Sequence, residues 1–155
     1  WTNRVTILRF FNVYGVGMNP DYGSVMWNFI KGTYEGILPI KGDGKQTRDF
    51  IEVDEVARVI KTAILPRWDG QIVEVGTGHD ISINEIAKMF QRRARVLNIA
   101  IPRIEHRSAV NEIRHSRANT TLLGMLYGVE ANPYRKLDKD IEVLIRWGAV
   151  YGQTD

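Results

Sequence analysis

The chain has 155 residues, 44% of them hydrophobic and 25% charged, proportions that suit one globular domain and argue against disorder. With no cysteine it has neither a disulfide framework nor a thiolate metal site, and no apolar run approaches the ~20 residues of a membrane-spanning helix. The net charge of +3 comes from Lys and Arg interleaved with acids, which disfavours a specific nucleic-acid binder and leaves small anionic ligands open.

Residues 5–11 are β-branched and aromatic with little polar alternation, which predicts a strand buried on both faces. Glycines and a proline over 12–20 then predict a loop. Ser24 is a candidate N-cap for a helix reaching Glu35, with Val25, Phe29 and Ile30 on one face and Gly32 as a weak point. Residues 37–40 read as a short extended piece, and Gly42-Asp43-Gly44 as a turn. A helix is expected over 54–65, buried through Val56, Val59, Ile60, Ala63 and Ile64 and stopped by Pro66. Residues 71–75 read as a second buried strand.

Ser82 and Glu85 have capping-box spacing, so a helix should start there and bury Ile83, Ile86, Ala87, Phe90, Ala94 and Leu97. Arg92, Arg93 and Arg95 would form its solvated face. A further strand is expected over 99–105, a helix near 120–127, and a last helix over 137–147 burying Leu137, Ile141, Leu144 and Ile145. Strands and helices alternate, so the fold class is α/β with parallel pairing. The first residue is Trp1 rather than Met, and the sequence reads as part of a longer chain without a secretory signal.

Two stretches carry a resemblance. LRFFNVYG over 8–15 and GDGKQTRDFIEVDEVA over 42–57 resemble the NAD-dependent epimerase/dehydratase family of extended short-chain dehydrogenases/reductases, whose members act on nucleotide sugars. More loosely, Glu112 in the trio 111–113 and the run Leu122-Leu123-Gly124 after Asn119 match the family's later segments, where an Asp commonly stands in place of Asn119.

The resemblance implies the C-terminal part of a doubly wound, Rossmann-like NAD-binding sheet interleaved with a small α/β substrate domain. Residues 1–14 and 50–78 would be late elements of the dinucleotide-binding sheet, and 15–49 and 79–150 the nucleotide-sugar domain. Asn12 would donate its amide to the sugar diphosphate; satisfying a turn backbone is its alternative role. Arg48 would grip the diphosphate, since a guanidinium fork suits phosphate oxygens, the alternative being a surface ion pair with Asp49 or Asp54. Asp49 would hold its loop or the start of the following helix. Ser24, Val25, Pro39, Ile40 and Lys41 would line the nucleotide, with plain packing as the alternative and the better account of Ile40.

Glu112 would accept from the ribose hydroxyls. The family's second diphosphate arginine falls at Ala109, so Arg107, two residues away, is its nearest replacement or else a solvated arginine. His79, His106 and His115 lack metal-ligand spacing, and Gly76-Thr77-Gly78 reads as a structural turn.

The family's Gly-x-x-Gly-x-x-Gly turn does not occur in this sequence, and none of its six tyrosines has a Lys four residues later to lower a phenol's pKa. The resemblance therefore implies a parent enzyme using NAD, bound mainly by residues outside this chain, on a nucleotide-diphosphate sugar through a transient keto sugar. This chain alone would be inactive, with no catalytic residue assigned and its own cofactor contacts unassigned. The whole enzyme would be a cytoplasmic homodimer with no membrane or specific nucleic-acid partner. A non-catalytic binding or assembly module that retains the fold is the alternative.

Overall fold

The computed structural model describes residues 5–108, 112–127 and 133–151. Among the described residues, eight short strands and five α-helices form a mixed α/β fold around two apolar cores. Strand β1 (Ile7–Phe10) lies parallel to β5 (Ile72–Val75), and β2 (Asn12–Tyr14) lies parallel to β4 (Thr47–Glu52). The chain thus changes strand partner between Phe10 and Asn12. Phe11 still donates its N–H to Val75 O (3.0 Å), and the next residue already pairs with Phe50.

Strand β4 also pairs antiparallel with β6 (Asp80–Ser82) and parallel with β8 (His115–Ser116). A separate parallel pair joins β3 (Ile37–Lys41) to β7 (Arg103–Arg107).

Local chemistry explains the helix starts. Helix α1 (Val25–Glu35) begins where Ser24 Oγ accepts from Trp27 N, and it ends at Gly36, whose left-handed φ of 81° suits a residue without Cβ. Helix α3 (Ile83–Val96) carries the full capping box between Ser82 and Glu85. These two pack with α5 (Pro133–Tyr151) around the larger core. Phe29 meets Phe90 edge-on at 5.5 Å, and Trp27 meets Trp147 likewise at 5.5 Å. Leu137, Ile141, Leu144 and Ile145 are buried there as their spacing predicts. The smaller core gathers Val56 and Val59 of α2 (Val53–Ala63), Trp68, Val73, Val75 and Leu123 of α4 (Thr121–Leu126).

Several expectations are corrected. Residues 5–11 are not buried on both faces: Ile7, Arg9 and Phe10 are exposed, because the small core covers one face and β5 flanks one edge. Ile72 of the second expected strand is exposed for the same reason. Ile60 and Ile64 point to solvent, since α2 buries only the narrow stripe of Val56 and Val59 with a half-buried Ala63. The strand expected over 99–105 forms later, at Arg103–Arg107, where β3 offers a partner.

Arg93 is not solvated. Its guanidinium lies between α3 and α5, paired with Asp138 and with Glu142, the latter at 3.5 Å. Gly32 is a close-packing site rather than a weak point: a Cβ there would stand 2.1 Å from Ile37 O, so only glycine lets β3 fold back against α1.

Candidate functional site

The switch of strand partner after Phe10 opens a cleft where β1 and β2 meet the start of α1. The cleft has a volume of about 940 Å³, and Asn12, Ser24, Val25, Arg9, Glu74 and Ser116 are among its lining residues. Arg9 and Glu74 are register partners on β1 and β5, so opposite charges face each other on its floor. Glu74 is also engaged from the side, accepting from Asn119 N at 2.7 Å. The first turn of α1 brings the positive end of its helix dipole to the wall.

Asn12 sits at the start of β2 and donates its amide Nδ2 to Asp49 O at 2.9 Å. That bond leaves its carbonyl oxygen and second amide hydrogen for other partners. Ser24 is committed to capping α1, and its hydroxyl also lies 3.8 Å from Met18 Sδ.

Arg48 lies on β4 and is not itself among the cleft's lining residues, but Phe50 on the same strand and Ser116, its register partner on β8, both are. Its Nη1 donates to Thr47 O (2.8 Å) and Ile113 O (2.7 Å), and its Nη2 meets Glu112 Oε2 at 3.2 Å. Ion pairing is therefore with Glu112, not with Asp49 or Asp54. The side chain of Arg48 is 17% exposed and that of Glu112 is 32% exposed, so both remain within reach of a ligand.

Asp49 is wholly buried beside it; instead of holding its own loop or the start of α2, its carboxylate holds the turn at Thr77 and Gly78. One carboxylate oxygen accepts from Thr77 N (2.9 Å) and Thr77 Oγ1 (2.6 Å). The other accepts from Gly78 N (2.9 Å) and Ala118 N (3.2 Å). Gly76 is required for this closeness, since a Cβ there would fall 2.7 Å from both Asp49 Oδ2 and Ala118 Cβ. The Gly76-Thr77-Gly78 turn is thus a clamp on a buried carboxylate.

The other expected site residues form a separate group on the β3–β7 pair. Pro39, Ile40 and Lys41 are in register with Glu105, His106 and Arg107. The Ile40 side chain is fully buried in the larger core, while Lys41 is exposed. Arg107 Nε donates to Glu105 Oε1 at 2.9 Å, and this bond is the main cause holding the Glu105 carboxyl below its usual range. In the nearby glycine turn, Asp43 is held low first by the N–H of Lys45 and then by Arg114, whose Nη1 reaches both carboxylate oxygens at 2.8 and 3.0 Å. Among the described residues, no group of three or more His, Asp or Glu side chains could hold a metal ion. No described helix is long and apolar enough to cross a membrane.

Sequence reasoning grouped Asn12, Ser24 and Val25 with Arg48 and Glu112, but missed Arg9, Glu74 and Ser116. The charged pair Arg9 and Glu74 was detectable in principle as opposite charges on two predicted parallel strands. Ser116 had no local signal, because its position comes only from the pairing of β8 with β4.

Residues 2–76 match the NAD dependent epimerase/dehydratase family. A UDP-glucuronate 4-epimerase of Thermodesulfobacterium geofontis is 38% identical over 91 residues, which is 57% of this chain and 27% of that protein. Among solved structures, an NAD dependent NDP-hexosamine 5,6-dehydratase of tunicamycin biosynthesis superposes with a TM-score of 0.80 at 26% identity, covering 98% of this chain and 46% of that one. The UDP-glucuronic acid 4-epimerase of Bacillus cereus, in complex with UDP-glucuronic acid and NAD, gives 0.79 at 25% identity, covering 94% and 46%. The chain therefore spans a quarter to a half of the length of these relatives. With a Rossmann-like α/β fold, the two motif stretches in place and these likenesses, the chain belongs to the NAD dependent epimerase/dehydratase family and corresponds to its C-terminal portion.

Proposed function

We propose that this chain grips a nucleotide-diphosphate sugar and forms the substrate-holding portion of an NAD-dependent sugar epimerase or dehydratase. The observation that carries the reading is Arg48, pinned through Nη1 by two carbonyl oxygens on the strand beside the cleft and still partly open to an anion. A guanidinium fixed in this way has lost its rotamer freedom before the ligand arrives, so less entropy opposes binding of a diphosphate. Asn12, Ser24 and Val25 on the cleft wall, with the dipole of α1, supply the remaining polar and apolar contacts. Pro39, Ile40 and Lys41 would border the base through β3, Glu112 would accept from the ribose, and Arg107 would be a second, outlying cation.

In the whole enzyme NAD would take a hydride from a sugar carbon and give access to a keto sugar. The described residues do not form the family's cradle for that cofactor: the glycines between β2 and α1, Gly15, Gly17 and Gly23, lack the Gly-x-x-Gly-x-x-Gly spacing, and no hydride step is derived through them. The work of this chain is orientation: binding energy collected on the diphosphate and nucleotide positions a distant reacting sugar. In this reading residues 1–14 and 50–78 extend the cofactor-binding sheet, and 15–49 and 79–150 hold the substrate.

Calorimetric titration of the chain with UDP tests the assignment. Replacing Arg48→Ala removes the charge-assisted bonds to the diphosphate and should weaken binding by about tenfold or more. Unchanged affinity overturns it.

A further inference from the structure

Resting on the diphosphate role of Arg48, the geometry points to Glu112 as a built-in competitor that occupies the anion site until the diphosphate displaces it. Three of the Arg48 N–H groups are already engaged. A guanidinium offers five N–H groups. Nη1 is already shared between Thr47 O and Ile113 O at 2.8 and 2.7 Å, so it is turned toward the backbone. Nη2 is the other terminal nitrogen of the fork, and Glu112 Oε2 stands 3.2 Å from it.

A bidentate grip on phosphate oxygens needs Nη2. The three existing contacts leave Nε–H and one Nη2 hydrogen, so a diphosphate gripped through them lies directly beside the Glu112 carboxylate and either displaces it or stands against a second anion. The exchange is feasible because the pair is partly solvated, with 17% and 32% of the two side chains exposed; a fully buried pair would be costly to separate.

Two consequences follow from the exchange. The Arg48 charge stays neutralised while the site is empty, so weakly charged anions bind poorly and a doubly charged diphosphate is favoured over them. The carboxylate that leaves Nη2 is then free to accept hydrogen bonds from hydroxyl groups of the same ligand, so gripping the diphosphate and reading the adjoining sugar become sequential.

Inorganic pyrophosphate is the probe of choice, because it carries the diphosphate without base or ribose. Glu112→Gln and Glu112→Ala should each tighten pyrophosphate binding by about two- to fivefold in calorimetric titration, the range of a partly exposed ion pair. Asp43→Asn removes the same charge nearby but from Arg114 rather than Arg48, and should change affinity little. If neither Glu112 variant tightens binding while Arg48→Ala still weakens it, the competitor role fails and the diphosphate reading stands. An equal gain from Asp43→Asn also overturns the competitor role, since the gain would then be general electrostatics. Pyrophosphate binding that ignores Arg48→Ala removes both.

Discussion

Replacing Asp49→Asn keeps the size of a wholly buried side chain and changes only what it can accept. In the native chain two oxygens serve four donors, in pairs: Thr77 N with Thr77 Oγ1, and Gly78 N with Ala118 N. An asparagine presents one oxygen and one NH2 group. One pair of donors keeps an acceptor, and the other pair faces a donor. Each buried hydrogen bond lost from a charged acceptor costs about 1.5–3 kcal/mol, partly offset because a buried charge no longer has to be desolvated. The expected net loss is about 3 kcal/mol.

Urea unfolding followed by tryptophan fluorescence measures that loss. With an m-value of ~2 kcal/mol/M for a chain of this size, the midpoint should fall by about 1.5 M. Thr77→Val removes one of the four donors, so a double-mutant cycle with Asp49→Asn should return a coupling of about 1 kcal/mol. A midpoint for Asp49→Asn within about 0.2 M of wild type would refute the clamp, and additivity with Thr77→Val would refute the specific partner.

Gly32→Ala should destabilise the chain by about 1–3 kcal/mol in thermal unfolding even though alanine favours helix by ~1 kcal/mol, because the new Cβ meets a backbone oxygen that cannot turn aside; a raised Tm would contradict this. Ser82→Ala should cost about 1 kcal/mol at neutral pH through loss of the α3 cap. The Glu85 carboxyl is held below its usual value first by the Ser82 hydroxyl and then by the Ser82 N–H, so its contribution is present at neutral pH and is lost as pH falls through that lowered value. The gap between wild type and Ser82→Ala should therefore narrow as pH falls through that lowered value, and a gap independent of pH would exclude the Glu85 half of the box.

What the sequence determined by itself is what local chemistry decides. Ser24 and the Ser82–Glu85 pair announce α1 and α3, and the spacing of Leu137, Ile141, Leu144 and Ile145 announces the buried face of α5. Each depends on neighbours within one or two helical turns, which the order of residues already supplies. The family's motif stretches were legible for the same reason, as unbroken runs.

Only the tertiary structure decided who meets whom. Arg48 and Glu112 are 64 residues apart, Asp49 is clamped by donors 28, 29 and 69 residues away, and Asn12 reaches Asp49 across 37. The burial of residues 5–11 was misjudged because a strand's composition records what it can tolerate on its two faces, whereas strand pairing and packing fix which face is covered. Adjacent Arg48 and Asp49 look like a pair in the sequence. On a strand they point to opposite faces, so one side chain turns toward a partly solvated anion site and the other into a buried cage of three backbone N–H donors and one hydroxyl.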